Sequence, residues 1–582
     1  MEKSLFKKTL VMGILFLLIG IIITPNIVGI SNETNDITEK GTNGFQKTIK
    51  NIDKQSNPTI DTDWWSMWRH SSGNDGSTTS IAPNTNQLNW KEKISDEFYS
   101  TAPVVYDDNL YISTGFYYDW IGASKIAEDA FLNPPEFTKV LNDLVDYKEE
   151  YFGGLYCLDA DTGESKWDFP LYAPNDPLVV DNKVFVTDLN TYSYSSNLYC
   201  LDAENGDQVW STPIGSLVTT PTIGADDKIF LGCLDFYSYN SAIKCYNNDG
   251  GYEWSYYIPP TEIMWFTTPA YCDGKVYFLT SNMYSYYSGR IYCLDAETGG
   301  YLWSQMISTF FIFQPSPVCR DGKVFVTELN FYSYSSSLRC FEANTGSTLW
   351  QYPLGYSLCF ATPAVNDDSA FIGAINLYTY NSYLYRINTD TGIEVWKVPI
   401  PGIAYFYSSG SPSCSANKIF ISPWEFYGYS DTIYCLNIEN GAMIWSYNLD
   451  YYSLAYPSIA DERVYIADSI GNIYAIEDLL KIGKISGGLL SVKAEIKNIG
   501  VTAFNDVSWD IDVVGGMMGM INKHANGVIP TLEGGKSNTV RAFPIIGIGN
   551  IDIQVSVSMT GLTPIIKNLE GMAMGFLVMI KS

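Results

Sequence analysis

A glycine followed four residues later by a tryptophan recurs along this chain: Gly163–Trp167, Gly206–Trp210, Gly250–Trp254, Gly299–Trp303, Gly346–Trp350, Gly392–Trp396 and Gly441–Trp445. The stretches read "LDADTGESKW", "LDAENGDQVW", "CYNNDGGYEW", "LDAETGGYLW", "FEANTGSTLW", "INTDTGIEVW" and "LNIENGAMIW". Successive tryptophans in this run lie 43 to 49 residues apart. An eighth copy, "APNTNQLNW", ends at Trp90 and carries Asn86 in the glycine place. Glycine and asparagine tolerate positive φ, so the series predicts a left-handed turn feeding a strand that bears one large aromatic.

A second series interleaves with the first. Pro103, Pro177, Pro221, Pro269, Pro317, Pro363, Pro412 and Pro457 each stand before a short apolar run, as in "TTPAYCDGKVYFLT". A tight Asp/Asn/Gly turn follows, then an alternating strand such as Val184-Phe185-Val186 or Val324-Phe325-Val326. The unit is therefore four strands per period, the signature of propeller blades. The strand at Trp90 precedes the first proline strand, and the last unit ends at "GNIYAIED" without a tryptophan. The N-terminal strand is expected to complete the last blade and remove both open edges. Eight proline strands and eight tryptophan strands predict eight blades, over residues 63–478.

The motif A/T-x-x-G-x-x-x-W resembles the tryptophan-docking motif of the pyrroloquinoline-quinone (PQQ) repeat family, and "WWSMWRHSSGNDG" at 64–76 resembles the segment that leads into such propellers. The resemblance implies that Trp90, Trp167, Trp210, Trp254, Trp303, Trp350, Trp396 and Trp445 dock between neighbouring blades. It also implies that the Asp and Thr of "LDAETGGYLW" serve turn hydrogen bonds rather than chemistry. One branch of the family holds quinone-dependent alcohol and sugar dehydrogenases, many with calcium, a catalytic Asp and a disulfide between adjacent cysteines. This chain has no Cys-Cys pair, short blades and no acidic cluster apart from the repeats. It is more similar to the non-enzymatic branch typified by the outer-membrane assembly lipoprotein. No catalytic, cofactor or metal residue is assigned; PQQ is not expected and calcium stays open.

Composition narrows the function classes. The formal net charge of −28 argues against nucleic acid and anionic membrane surfaces as general partners. With only His70 and His524, no polyhistidine metal site can form. Lys3, Lys7 and Lys8 precede the apolar run Leu10–Ile23, which suits a signal peptide over residues 1–30 better than a span of about 20 residues. An extracytoplasmic protein is expected, with membrane attachment only if the leader stays uncleaved. Residues 31–62 read as a polar linker. Cys157, Cys200, Cys245, Cys293, Cys340 and Cys435 share one repeat position and read as buried free thiols; Cys233 and Cys245 are the best candidate disulfide.

One feature exceeds what packing demands. Between the second and third strands of six units stand tyrosine pairs: Tyr192/Tyr194, Tyr237/Tyr239, Tyr284/Tyr286, Tyr332/Tyr334, Tyr378/Tyr380 and Tyr427/Tyr429. An amide or acid precedes each pair: Asn190, Asp235, Asn282, Asn330, Asn376 and Glu425. One reading makes them extended hairpins packed on the next blade. The other makes them a surface that recognises a protein or glycan at the cell surface. In the first unit this loop is replaced by a helical insertion within about 119–152, where "NPPEFTKVLNDLVDY" has a helical apolar stripe and a capping box. From residue 484 to 582, alternating segments such as "SVKAEIKNIGVTAFNDVSWDIDV" resemble adhesion-related immunoglobulin-like modules, which implies a β-sandwich. The fold class is all-β: an eight-bladed β-propeller followed by that sandwich.

Overall fold

The computed structural model describes residues 64–582, except 96–99, 116–152, 189–194, 216, 220–221, 225–227, 236–239, 265–266, 283–287, 310–314, 331, 403–410, 424–431, 454, 560–563 and 582. The chain divides into units Met1–Gln55 and Ser56–Ser582. The expected signal peptide, the polar linker up to residue 62 and the helical insertion lie outside the described residues.

Each proline of the second series is followed at once by a strand of two or three residues, from Val104–Tyr106 and Leu178–Val180 to Ser413–Cys414 and Ser458–Ala460. Proline has no N–H to give a ladder, so it stands just before pairing begins. A representative sheet is the antiparallel meander Leu178–Val180, Lys183–Thr187, Ser196–Asp202 and Gln208–Gly215. The same order repeats along the chain, and Thr348–Leu358 is long enough to pair in two successive units. The proline strands meet one another in a row: Ala270–Cys272 touches Val318–Arg320, which touches Ala364–Val365, which touches Ser413–Cys414. Ser458–Ala460 touches both Ser413–Cys414 and Val104–Tyr106, so the row of sheets returns to its start. The last sheet is completed by Leu88–Lys93, paired with Asn472–Glu477 so that Trp90 lies opposite Ala475.

The tryptophans form the seams between sheets. Each indole Nε1 donates to a carbonyl in the turn of the following unit: Trp167 to Ala203 (3.1 Å), Trp254 to Ala296 (3.1 Å), Trp303 to Ala343 (3.0 Å) and Trp350 to Thr389 (2.8 Å). The glycine of that turn lies flat on the ring. A Cβ on Gly346, where φ is 70°, would stand 2.5 Å from Trp303 Cε3. The turn itself is held by its first polar residue: Asp295 Oδ1 accepts from Thr298 N–H (2.8 Å) and Thr298 Oγ1 (2.7 Å). Asn388 makes the same two bonds to Thr391 (2.9 and 2.8 Å), and Glu342 replaces Asp at this place in another unit. An amide and two kinds of acid interchange here, so the position needs an acceptor and not a proton carrier.

The closing seam is assembled from both ends of the ring. Trp445 donates to Pro83 O (3.2 Å), and Trp90 to Ala160 O (2.9 Å). Asp478 supplies the turn acceptor, receiving N–H bonds from Asn84 (3.0 Å) and Thr85 (2.8 Å) and the Thr85 hydroxyl (2.7 Å). Asn86 does not adopt the left-handed φ expected of it. Its side chain donates to Ser446 O (2.7 Å), because an acceptor from elsewhere in the chain already fixes the turn.

The cysteine pairing differs from expectation. Cys233 and Cys245 are free and buried; they lie on adjacent strands but pair with Ala242 and Phe230 respectively, three positions out of step. The disulfide is Cys272–Cys319, between two neighbouring proline strands. The repeat cysteines each pair directly across from a docking tryptophan, as Cys293 does with Trp303 and Cys340 with Trp350. Ala475 takes this place opposite Trp90, and Arg386 takes it opposite Trp396. Burial pushes the thiols of Cys157, Cys245, Cys293 and Cys340 up to about 12.

After the ring come two further sheets. Leu480–Gly488, Ser491–Asn498 and Ser537–Ala542 form one; Ile521–Leu532, Phe504–Gly515, Gly547–Ser558, Ile565–Gly575 and Leu577–Ile580 form the other. They face each other over one core that includes Val492, Ile496 and Val540 from the first and Val507, Ile511 and Val555 from the second.

Two predictions follow from the seams. Gly346→Ala should lose about 2–4 kcal/mol in urea unfolding, from the left-handed φ and the collision with Trp303. Gly322→Ala shares the φ of 71° but meets nothing within 4 Å, so it should lose only about 1–2 kcal/mol. The repeat cysteines should resist alkylation in the native protein and react only on unfolding, read by mass spectrometry.

Candidate binding face

Two of the six tyrosine-bearing tips are described in full or nearly so. They join Lys323–Asn330 to Ser335–Glu342, and Ser369–Asn376 to Ser382–Asn388. Asn330 Oδ1 accepts from the N–H groups of Tyr332 (3.1 Å) and Ser333 (3.2 Å); Asn376 Oδ1 does the same for Tyr378 (2.9 Å) and Thr379 (3.0 Å). The amide thus pins each turn. Tyr334 and Tyr380 take positive φ (48° and 56°), which is rare for a bulky side chain. The turns turn the rings outward: Tyr332 is 78%, Tyr378 76%, Tyr380 60% and Tyr334 42% exposed.

The strand that links the two sheets runs between these tips. Ser357 N–H donates to Tyr334 O (3.0 Å), and Leu377 N–H to Tyr356 O (3.1 Å). Tyr356, which stands outside the repeating pair pattern, fills the gap. Its ring lies 4.2 Å from that of Tyr378 and 6.1 Å from that of Tyr334. The result is an aromatic row crossing from one sheet to the next. Tyr192, Tyr194, Tyr237, Tyr239, Tyr284, Tyr286, Tyr427 and Tyr429 lie outside the described residues.

Beneath the tips are carboxylates that the repeat pattern did not single out. Glu328 receives Arg339 (3.2 Å), Ser337 (3.2 Å) and Gln351 (2.8 Å). Asp188, at the same register in "VTDLN" as Glu328 in "VTELN", receives Asn197 N–H (2.8 Å) and the Tyr199 hydroxyl (3.2 Å). Glu262 receives Thr280 (2.6 Å) and Tyr292 (2.9 Å) hydroxyls and pairs with Arg290 (3.2 Å). Burial holds Asp188 and Glu328 above the usual carboxylate range despite these donors. The recurring acid in "VTDLN" and "VTELN" was the available signal. These acids accept bonds that brace the hairpins.

The segment after Trp64 runs past the proline strands in turn. Trp65 exchanges both backbone bonds with Val105, and Ser66, Ser72, Gly73, Asp75 and Gly76 accept N–H bonds from Val179, Tyr271, Cys319, Val365 and Cys414. A chain that bonds to six units in order must lie where those strands converge, on the axis of the ring. Arg69 is fully buried and donates to Pro412 O (2.6 Å) and Pro363 O (2.9 Å). Desolvation lowers its pKa to about 10. Asn74 Nδ2 reaches Pro269 O and Pro317 O (both 3.1 Å). Asp75 pairs with Arg320 (2.8 Å) and with His70 (3.4 Å). Burial pushes the Asp75 carboxyl up, but His70 and Arg320 outweigh it and hold the carboxyl below its ordinary value. Gly73 lies against the disulfide: a Cβ there would be 2.2 Å from Cys319 O and 3.1 Å from Cys272 Sγ.

These axial residues do not fit a planar tricarboxylic quinone. Such a group needs unspent cations and a flat slot, whereas Arg69 is committed to main-chain carbonyls and Arg320 to Asp75 and Asp367. Among the described residues, no group of three His, Cys, Asp or Glu side chains is placed to hold a metal.

A family profile described as outer membrane protein assembly factor BamB matches residues 143–233, 239–374 and 380–481, together more than half of the chain. A solved quinohemoprotein alcohol dehydrogenase from Comamonas testosteroni is similar with a TM-score of 0.52 and 12% identity, over 72% of this chain and 81% of that one. BamB from Moraxella catarrhalis is similar with a TM-score of 0.41 and 14% identity, over 68% of this chain and 98% of that one. At such identities the likeness concerns the fold alone. No curated protein matches the chain in sequence.

Asp75→Asn should cost about 2–4 kcal/mol near neutral pH, because Arg320 and His70 lose a buried anionic partner. The Asp75 carboxyl titrates lower in the folded state than in the unfolded chain, so its contribution is present above about pH 4 and fades as pH falls through the depressed value. Melting curves should therefore show a shallower acid-side decline in the variant than in the parent.

Proposed function

We propose that this chain, which belongs to the PQQ-repeat family described as outer membrane protein assembly factor BamB, is a non-catalytic extracytoplasmic binding protein. In this reading the sheets form a closed eight-bladed ring with an immunoglobulin-like sandwich appended at residues 484–582. The tyrosine-tipped hairpins of one face recognise a glycan or protein at the cell surface. The observation that carries the reading is the row of exposed Tyr334, half-buried Tyr356 and exposed Tyr378, flanked by Tyr332 and Tyr380 and crossing two adjacent sheets. Tyrosine supplies a flat apolar face and a hydroxyl at small entropic cost, which suits sugar rings and protein backbones alike. The turns that present the rings are pinned by Asn330 and Asn376, so the row is set before a ligand arrives. The repeat acids are engaged as turn acceptors and hairpin braces, which supports a scaffold and not an acid–base or redox centre.

The test is ligand capture by the full chain on glycan arrays and on surface-exposed proteins of the producing cell. Tyr332→Ala, Tyr378→Ala and Tyr380→Ala should each weaken capture by about three- to tenfold, the worth of one aromatic contact. Unfolding free energies should stay within about 0.5 kcal/mol, as expected of exposed sites. Unchanged capture with a lowered melting temperature would assign these tyrosines to packing. Dye reduction on alcohols or sugars after addition of quinone and calcium would replace this reading with an oxidoreductase.

A further inference from the structure

The last two sheets end in an uncharged cap. All four chain reversals at one end of them, residues 487–490, 515–521, 543–547 and 575–577, contain no Asp, Glu, Lys or Arg. They are neighbours in space: Leu489 bridges Leu577, Ile548 pairs with Met574, and Gly516 N–H donates to Asn550 O (2.6 Å). Large side chains in and beside these turns face out, with Met518 94%, Met520 78%, Leu489 69%, Ile548 64% and Phe576 60% exposed, while Ile521 and Ile545 point into the core. Soluble proteins rarely leave so many contiguous large apolar groups in water. In a chain of net charge −28 the absence of any acid here is a sharp local departure.

The charges begin immediately behind the cap, and they are mostly positive. Lys493 lies opposite Arg541 in the three-stranded sheet, and Lys523 and Lys581 hold the corresponding level of the five-stranded sheet. Asp552 and Glu570 share that level, with Glu570 tied to Lys581 (2.9 Å). The Arg541 guanidinium lies 4.6 Å from the centre of the Phe543 ring, pointing the cation along the cap.

We propose that this cap inserts into the interfacial layer of a lipid bilayer carrying anionic headgroups. Two residues of strand rise plus the turn make the cap about 7–10 Å deep. That matches the depth of about 5–10 Å to which interfacial elements bury their apolar groups. The collar of Lys493, Arg541, Lys523 and Lys581 then lies at the level of the headgroup phosphates, where cationic side chains keep their charge in water. Four separate turns brought to one end make a protruding apolar end. A folded partner would instead be met by a tyrosine- and arginine-rich centre with a hydrogen-bonding rim. The chain-wide charge argues against general adsorption to anionic membranes, and the collar supplies the local exception.

The experiment uses the full chain with Met518→Cys labelled by an environment-sensitive fluorophore. The nine free cysteines described are buried and the other two are paired, so the label goes to the new site. Vesicles of mixed zwitterionic and anionic phospholipid should shift the emission to the blue, and a lipid-borne quencher should dim it. Arg541→Gln with Lys493→Gln should weaken this binding by about fivefold per cation removed. The reporter sits at the cap, so attachment through the apolar run Leu10–Ile23 alone would leave its emission unchanged and would overturn the proposal. No binding to these vesicles would also overturn it. A blue shift that grows with protein concentration in the absence of lipid would assign the cap to a second copy of the chain instead.

Discussion

The indole-to-carbonyl seam is the contact on which the rest of this molecule depends. Each tryptophan puts a flat apolar face under the glycine of the next turn and satisfies a main-chain carbonyl with its one donor, as Trp303 does with Gly346 and Ala343. The glycine must be in the left-handed region to turn, and must lack a Cβ to touch the ring. The turn acid or amide must accept two bonds to keep the carbonyl aimed. In most units a cysteine stands across the ladder from the indole, with Ala475 opposite Trp90 and Arg386 opposite Trp396. Four sequence features that could each have been taken for chemistry are parts of one joint.

Closing the ring creates the environment of the axial segment. Once the proline strands converge, their outward main-chain groups would be buried without partners. Residues 65–76 answer them strand by strand, with Arg69 and Asn74 covering the carbonyls of the prolines themselves. The cost of burying an arginine is offset because several carbonyls share it. An axis occupied by the chain's own backbone leaves the hairpin tips as the proposed recognition surface, where Tyr334, Tyr356 and Tyr378 lie close enough to act as one.

The period, the docking tryptophans and the proline strands were legible in the sequence because they are local and repeated. The tyrosine tips were legible for the same reason, and the two within the described residues carry the amide-pinned turn. What escaped depends on pairings distant in sequence. Asp478 completes the turn at Asn84 and Thr85, a split copy that made Asn86 look like the glycine equivalent. The Cys272–Cys319 disulfide needs the geometry of two neighbouring proline strands, whereas Cys233 and Cys245 are adjacent in the ladder yet out of step. Tyr356 belongs to no repeat, and it is the residue that joins two tips into a row. Glu328 was hidden inside a strand that read as apolar, and Asp188 directly follows another.

The two proposed surfaces are a tyrosine face on the ring and an uncharged cap on the appended sheets, and the first depends on a ring whose centre is taken. Hydrogen exchange of the native protein across residues 65–78 tests that arrangement most directly. The account predicts that these amides and their partners at Val105, Val179, Cys319, Val365 and Cys414 exchange as slowly as the central strands of the sheets. Rapid exchange of the segment, with the central strands still protected, would show that the axis is open and would contradict it.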